Sequence, residues 1–307
     1  MNTVGNTILV GLVLLLGNPQ TAWSQKDKQA VRWKLAAGDR FTIELEQESG
    51  TRTQVDRREV EQSSRMKLTL QWDVESVDDQ GTARIRQVIS ALRAEITLPE
   101  TDGPQTVVYD SSAERHRGKA RQLAKSFDRI VNKPVTVVMT GRGEIAEVEI
   151  PEETRESLRE MPGSIEGRNV FSVDSVREMF QSAGTEFPET AVATGDTWKV
   201  TREFSIGSPH RFTRETIYTL QDKNRIGFRS TLTIDSNVAE NENPDVEFHT
   251  WRIEDQNSSG TLTFDLEQGH VVDSQSSLML QTITAYHSFA VVTTVQSSIT
   301  MSVSKSD

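Results

Sequence analysis

Cysteine is absent from the 307 residues, and that absence removes disulfide staples, zinc ribbons, thiolate nucleophiles and iron–sulfur clusters together. It also removes the cysteine that an amino-terminal bacterial lipid anchor requires. Positive charge is in deficit, with 34 Lys+Arg against 45 Asp+Glu and a formal net charge of −11. An acidic chain offers no broad basic face for phosphate backbones, so nucleic acid is not an expected partner. Aromatic residues make up 6%. Long hydrophobic runs are missing except at the amino terminus, so no transmembrane span is expected in the mature chain.

Residues 1–24 carry no Lys, Arg, Asp or Glu. The apolar run Ile8–Leu16 precedes Gly17-Asn18-Pro19, and Ala22-Trp23-Ser24 places small residues where a signal peptidase reads. The run is shorter than the roughly 20 residues a spanning helix needs. The pattern predicts a secretory signal peptide over residues 1–24, cleaved near Ser24-Gln25, with the mature chain periplasmic or extracellular. An uncleaved anchor is the alternative, since the amino-terminal region lacks Lys and Arg.

Period-two alternation dominates the mature chain. Phe41-Thr42-Ile43-Glu44-Leu45-Glu46, Leu68–Val74, Thr231–Ile234, Thr261–Phe264 and Ile299–Val303 each place aliphatic or aromatic residues against polar ones. Such a texture predicts half-buried antiparallel strands. Asp78–Gly81, Gly141-Arg142-Gly143 and Glu267-Gln268-Gly269 supply turns between them. The strands recur in order: Gly38-Asp39 and Gly195-Asp196 each open a set, a long hairpin comes next, and a hairpin turning at Gly143 or Gly269 closes it. The expected fold is therefore α+β, mostly antiparallel, an internally duplicated curved sheet of half-barrel type with a few covering helices. Residues 25–150 form the first β repeat with a helix inserted at 112–131, residues 151–187 a helical connector, and residues 188–307 the second β repeat.

In the inserted helix Ser111 and Ser112 are the expected caps. Leu123, Phe127 and Ile130 make one apolar stripe, and Arg115, Arg117, Lys119, Arg121, Lys125 and Arg129 a basic remainder read as a solvated face. In the connector, Pro151-Glu152-Glu153 starts a helix that Pro162-Gly163 stops. Ser175 and Glu178 read as a capping box.

Reactive constellations are scarce. The five histidines, His116, His210, His249, His270 and His287, include no pair at metal-binding helical spacing and no HExxH. Gly163-Ser164-Ile165-Glu166-Gly167 lacks the nucleophile-elbow register. Asp78-Asp79 and Glu152-Glu153 are turn and helix-start residues, no calcium loop is spelled, and Asn257-Ser258-Ser259 is a chance sequon. No catalytic residue, metal ligand or cofactor is expected.

Trp33…Gly38-Asp39…Phe41, Tyr109-Asp110-Ser111, Pro134–Val137 and Gly143-Glu144-Ile145, with Phe187-Pro188-Glu189…Val192…Gly195-Asp196-Thr197-Trp198 after them, resemble an uncharacterised family of secreted bacterial domains of planctomycete type. The resemblance implies export and no known activity. The expected fold is also similar to half-barrel periplasmic lipoprotein and lipid carriers, an analogy of architecture only. On this reading the chain is a non-enzymatic envelope or secreted protein that binds or carries a hydrophobic small molecule. Phe41, Trp72, Trp198 and Tyr218 would line the sheet, with Phe127, Ile130, Met179 and Phe180 as a lid. Filling of an ordinary core by the same residues is the alternative. A structural module meeting an envelope protein through sheet edges, with Ser276–Ser304 as an exposed edge strand, and an uncharacterised hydrolase are the other readings.

Overall fold

Alternating sequence becomes strand with unusual persistence: Arg58–Val77 runs for 20 residues without a break. The computed structural model describes residues 28–100, 102–159, 164–165, 168–169, 173–205, 211–235, 250–285 and 289–306. The expected signal peptide lies outside the described residues, as do His210, His249, His287 and the Pro162-Gly163 stop.

The strands are β1 (Arg40–Val55), β2 (Arg58–Val77), β3 (Ala83–Leu98), β4 (Gln105–Asp110), β5 (Pro134–Met139), β6 (Ile145–Glu149), the two-residue pair β7 (Ser164–Ile165) and β8 (Arg168–Asn169), then β9 (Thr197–Phe204), β10 (Arg211–Leu220), β11 (Arg225–Asp235), β12 (Thr250–Asp265), β13 (His270–Ala285) and β14 (Ala290–Ser306). Three helices interrupt them, α1 (Ala120–Phe127), α2 (Glu152–Arg159) and α3 (Val173–Ala183). All strands except β7 and β8 join one open, curved antiparallel sheet in the order β6-β5-β3-β2-β1-β14-β13-β12-β11-β10-β9, with β4 on the flank of β3.

Two five-strand meanders, β1-β2-β3-β5-β6 and β9-β10-β11-β12-β13, thus meet through β14. Their opening Gly-Asp steps carry the same four bonds. Gly38 N–H donates to the Val74 carbonyl (2.8 Å) and Val74 N–H to that of Asp39 (2.9 Å), while Asp39 N–H reaches Ala36. Ala36 N–H in turn donates to Asp39 Oδ2 (2.9 Å). In the second meander Gly195, Leu220, Asp196 and Ala193 repeat each bond in the same sense. Both glycines sit at φ +91°, a region closed to most side chains.

Several expectations need correction. Ser276–Ser304 is no edge: β14 lies between β1 and β13, in unbroken register with β1 from Arg40↔Ser306 to Val55↔Val291. Serine and threonine there signal a sheet with one wet face. The strand order ends at β6 and β9, and α3 packs against both, while β4, a further edge beside β3, has α1 against it, so helices shield the ends where strand pairing stops. The insert holds a helix only over Ala120–Phe127, not 112–131. Gly118 at φ +55° breaks the chain before it. Ser111 and Ser112 cap nothing: Ser111 Oγ accepts from Leu92 N–H (2.9 Å), and Ser112 donates to Asp110. Helix α3 begins at Val173, two residues before the expected cap, and Glu178 instead accepts from Ser205 N–H (3.0 Å) on the β9 side.

Three apolar clusters fill the helix-covered end. One gathers Phe41, Ile85, Val137, Ile150, Leu158 and Val176; a second Phe187, Leu220, Ile226, Leu262, Phe264 and Val271; a third Leu92, Tyr109 and Ala124 under α1. Trp33 packs against the first two, with Trp72, Phe187 and Phe264 ring centroids at 6.2, 6.4 and 6.1 Å. Its backbone N–H donates to the Gly141 carbonyl (2.8 Å), and Lys34 N–H to that of Gly269 (2.9 Å).

Replacing Trp33 by alanine should cost about 3–5 kcal/mol, the toll of a large cavity between two clusters. Gly38→Ala should cost only about 1 kcal/mol, because the added methyl meets open space and only the backbone angle is strained. Urea midpoints monitored by far-ultraviolet circular dichroism check both; equal costs would show that Trp33 does not join the clusters.

Candidate apolar binding face

Residues directly opposite on paired strands share a face, so the register extends each cluster along the sheet. From Phe41 the apolar side of β1 continues through Ile43 and Leu45 to Gln47, Ser49, Thr51 and Val55. Across it stand Met66 and Leu68 on β2, and Ile299, Ser297 and Val295 on β14. Leu278 and Leu280 of β13 face Ser297 and Val295, and Ser258 and Gln256 of β12 come next. The result is a set of ribs, alternately aliphatic and hydroxylic, running beyond the ends of the helices.

On β2 and β14 the residues of this side are mostly half-buried and those of the other side mostly exposed. Helix contacts lie chiefly on β4, β6 and β9; on this side of β1 and β2 they reach Phe41, Val74 and Leu68 but not the residues beyond. Curvature of the sheet toward this side accounts for the shelter. Its hydroxyl rib is internally satisfied: Ser49 and Ser64 hydroxyls lie 2.8 Å apart, and Gln47 Nε2 donates to Ser297 Oγ (3.2 Å). Satisfied hydroxyls leave an apolar surface without stranded donors.

The far end is aromatic. Phe204 stacks on Phe212 with centroids 5.6 Å apart, and Trp251 meets Phe212 edge-on at 5.4 Å. Between this group and the stacked Trp198–Tyr218 pair (5.2 Å) lies the cross-strand pair Arg202↔Arg214. The Arg202 side chain, 13% exposed, donates to the Gln181 carbonyl and lies 3.4 Å from Glu186. Glu186 is also held by Arg142 at 2.7 Å. Burial lowers the Arg214 guanidinium from its ordinary value, and repulsion from Arg202 adds to the effect. Tyr218 is pushed up by burial.

Strands β11 and β12 part beyond Ser230↔Ser258. There the Gln256 side chain takes the place of a strand: its Oε1 accepts from Leu232 N–H (2.7 Å) and its Nε2 donates to the Leu232 carbonyl (2.8 Å). No sequence motif marks that role; a lone glutamine beside a register shift is its only signature.

The eight residues expected to line one ligand site are divided by the fold. Phe41 is fully buried in the first cluster, with Trp72, Ile130 and Phe180 packed against it. Tyr218 and Trp198 belong to the second, and Phe127 to the third. Met179 is 48% exposed. Most of them pack within these clusters, and none lies on the uncovered ribs of β1, β2, β13 and β14, whose continuity Ser and Thr among the aliphatics mask in the sequence.

Two hollows of about 720 and 710 Å³ open mainly on the opposite side of the sheet, among residues such as Gly50, Ser63, Ser298, Ser277 and Thr261, and the first also touches Ser49, Ser64, Leu278 and Ser297. None of the eight lines them. Among the described residues no group of three or more His, Asp or Glu side chains is placed to hold a metal ion, and no helix is long and apolar enough to cross a membrane. His270, buried at the start of β13, lies against the Phe41 ring at 5.4 Å, packed as core.

Gln256→Met should leave the Leu232 N–H and carbonyl without partners, at a cost of about 1–3 kcal/mol. Hydrogen exchange at Leu232 should quicken selectively, while that of Phe264 stays slow. Unchanged exchange at Leu232 would rule out the bridging role.

Among solved structures, the chain is similar to one describing lipid–protein interactions in lipovitellin, at 11% identity and a TM-score of 0.42, with 88% of this chain and 25% of that chain covered. It is also similar to OccK7 (OpdD) of Pseudomonas aeruginosa, at 7% identity and a TM-score of 0.24, covering 88% of this chain and 100% of that chain. The chain spans 25% of the length of the lipovitellin chain it matches. No curated protein matches its sequence. A family profile matches residues 94–271, more than half of the sequence, and the chain belongs to that family, a family of unknown function (DUF6263).

Proposed function

We propose that the chain is a non-enzymatic binding protein, exported from the cytoplasm, which holds an elongated apolar ligand such as an acyl chain against the uncovered ribs of its sheet. One observation carries the reading: the alternation of half-buried and exposed residues continues along β2 as far as Ser64 and along β14 as far as Val295, beyond the strands that the helices chiefly contact. An apolar sheet face is ordinarily buried against a second layer. Here Met66, Leu280, Val295 and Ile299 lie where a ligand would supply that layer.

The length of the ribs matches this use. Strands rise about 3.3 Å per residue, so the stretch from Leu45 to Thr51 gives about 20 Å for an extended acyl chain along one strand direction. The absence of cysteine suits an oxidising compartment, where a core rather than disulfides must provide stability.

Purified without detergent, the protein should take up a fluorescent fatty-acyl probe and release it to unlabelled fatty acid. Leu280→Arg should weaken that uptake about tenfold or more, since a charge on the face must be desolvated when the chain lies down. Its far-ultraviolet spectrum should remain that of the wild type. Native mass spectrometry that shows bare polypeptide after incubation with the probe, or full uptake by Leu280→Arg, would refute the reading.

A further inference from the structure

The basic stretch around α1 is largely exposed to solvent, and part of it is gathered around one hollow. Four of its side chains, Arg115, Arg121, Lys125 and Arg129, line a hollow of about 500 Å³ together with His116 and two carboxylates, Glu114 and Asp128. Because the helix starts only at Ala120, the segment carrying Arg115 and His116 folds back beside it. The His116 ring stacks on Tyr109, with centroids 4.8 Å apart and planes 30° apart, which fixes one wall. Tyr109 is fully buried, and its hydroxyl donates to Asp128 Oδ1 (2.7 Å), which orients one of the two carboxylates on the hollow.

Elsewhere on the sheet, guanidinium groups are matched to carboxylates across strands: Arg52 with Glu61, Arg84 with Glu75 and Glu149, Arg93 with Asp110. Lys119, at the start of the same helix, is matched to Glu100. Arg115, Arg121 and Lys125 have no such partner among the described residues. These three cations outnumber the two carboxylates of the hollow, Glu114 and Asp128, so an anion entering it meets a net positive charge.

We infer that this hollow binds a phosphate-type oxyanion, either a free phosphate ester or the phosphate of a lipid headgroup. Arginine forks match the paired oxygens of phosphate, and lysine adds a point charge. A long polyanion fits less well. The chain is acidic overall, and screening over about 8–10 Å confines the attraction to the hollow itself. The inference is independent of the acyl-chain reading and uses no residue of the uncovered ribs.

Equilibrium dialysis against radiolabelled inorganic phosphate in about 0.15 M sodium chloride tests it. One equivalent should bind, and the triple variant Arg115→Gln, Arg121→Gln, Lys125→Gln should lose about tenfold or more in affinity. Arg117→Gln, a neighbouring basic residue outside the hollow, should bind as the wild type does. All altered side chains are exposed, so the variants should keep the wild-type spectrum and melting temperature. Sedimentation with phosphatidylcholine vesicles containing phosphatidic acid separates the two sources. Retention competed by inorganic phosphate assigns a headgroup, and phosphate binding without retention assigns a free ester. Failure to bind phosphate at millimolar concentration, equal binding by the triple variant, or binding of a polynucleotide but not of phosphate overturns the inference.

Discussion

Two backbone hydrogen bonds from adjacent residues, Trp33 N–H to Gly141 and Lys34 N–H to Gly269, hold the closing hairpins of both meanders to one short strap. The sheet is open, so nothing in its own pairing brings those hairpins together. A strap that binds both, with an indole wedged between the two largest clusters, supplies what ring closure supplies in a barrel. The cost is visible at the turn. An added Cβ at Gly143 would fall 2.1 Å from the Thr185 carbonyl and 2.7 Å from the Trp33 Nε1. The indole N–H there is enclosed without an acceptor among the described residues. Close packing at this junction has taken precedence over one hydrogen bond.

Curvature results from that clamp. With both hairpins drawn to Trp33, the edges β6 and β9 approach the same helix, and the segment after α3 fills the space between. Phe187 N–H donates to the Arg142 carbonyl, and Trp198 Nε1 to that of Glu186 (2.9 Å). The clamped end therefore has a second layer made of helices and of residues 184–187. The other end has none among the described residues, yet its apolar side remains partly sheltered because the twist imposed at the clamp propagates along strands of 16 to 20 residues. A single constraint thus yields a filled end and an uncovered end on one face.

Much of this was legible in residue order. Alternation at Phe41–Glu46 and Leu68–Val74 marked strands correctly, and the Gly-Asp steps marked matching starts, because a positive φ and a carboxylate that accepts a backbone N–H are local requirements that leave local traces. Length and neighbours were less legible. Thr250–Gly260 is strand although it includes Asn257-Ser258-Ser259-Gly260, since ladder bonds to β13 override weak strand propensity. The central place of β14 is a matter of long-range pairing, which no window of sequence contains. The helix after Ser112 was overextended for the opposite reason. Its stripe of Leu123, Phe127 and Ile130 is real, but Gly118 and the stacking of His116 on Tyr109 turn the preceding residues away from helical geometry.

The aromatic residues set the clamped end apart from the uncovered one. Aromatics are only 6% of the chain; Trp33, Trp72, Phe187 and Phe264 meet at the clamp, and Phe204, Phe212 and Trp251 form a second group on β9, β10 and β12. A large rigid ring is most useful where packing must be dense and fixed. The uncovered ribs use Met, Leu, Ile and Val with Ser and Thr instead, residues that present apolar surface without filling space above it. A face built for permanent burial would carry the larger rings, as the clamped end does. One built of slim side chains, with its hydroxyls already satisfied by one another, loses few hydrogen bonds when it is covered and when it is uncovered again, which suits an occupant that comes and goes.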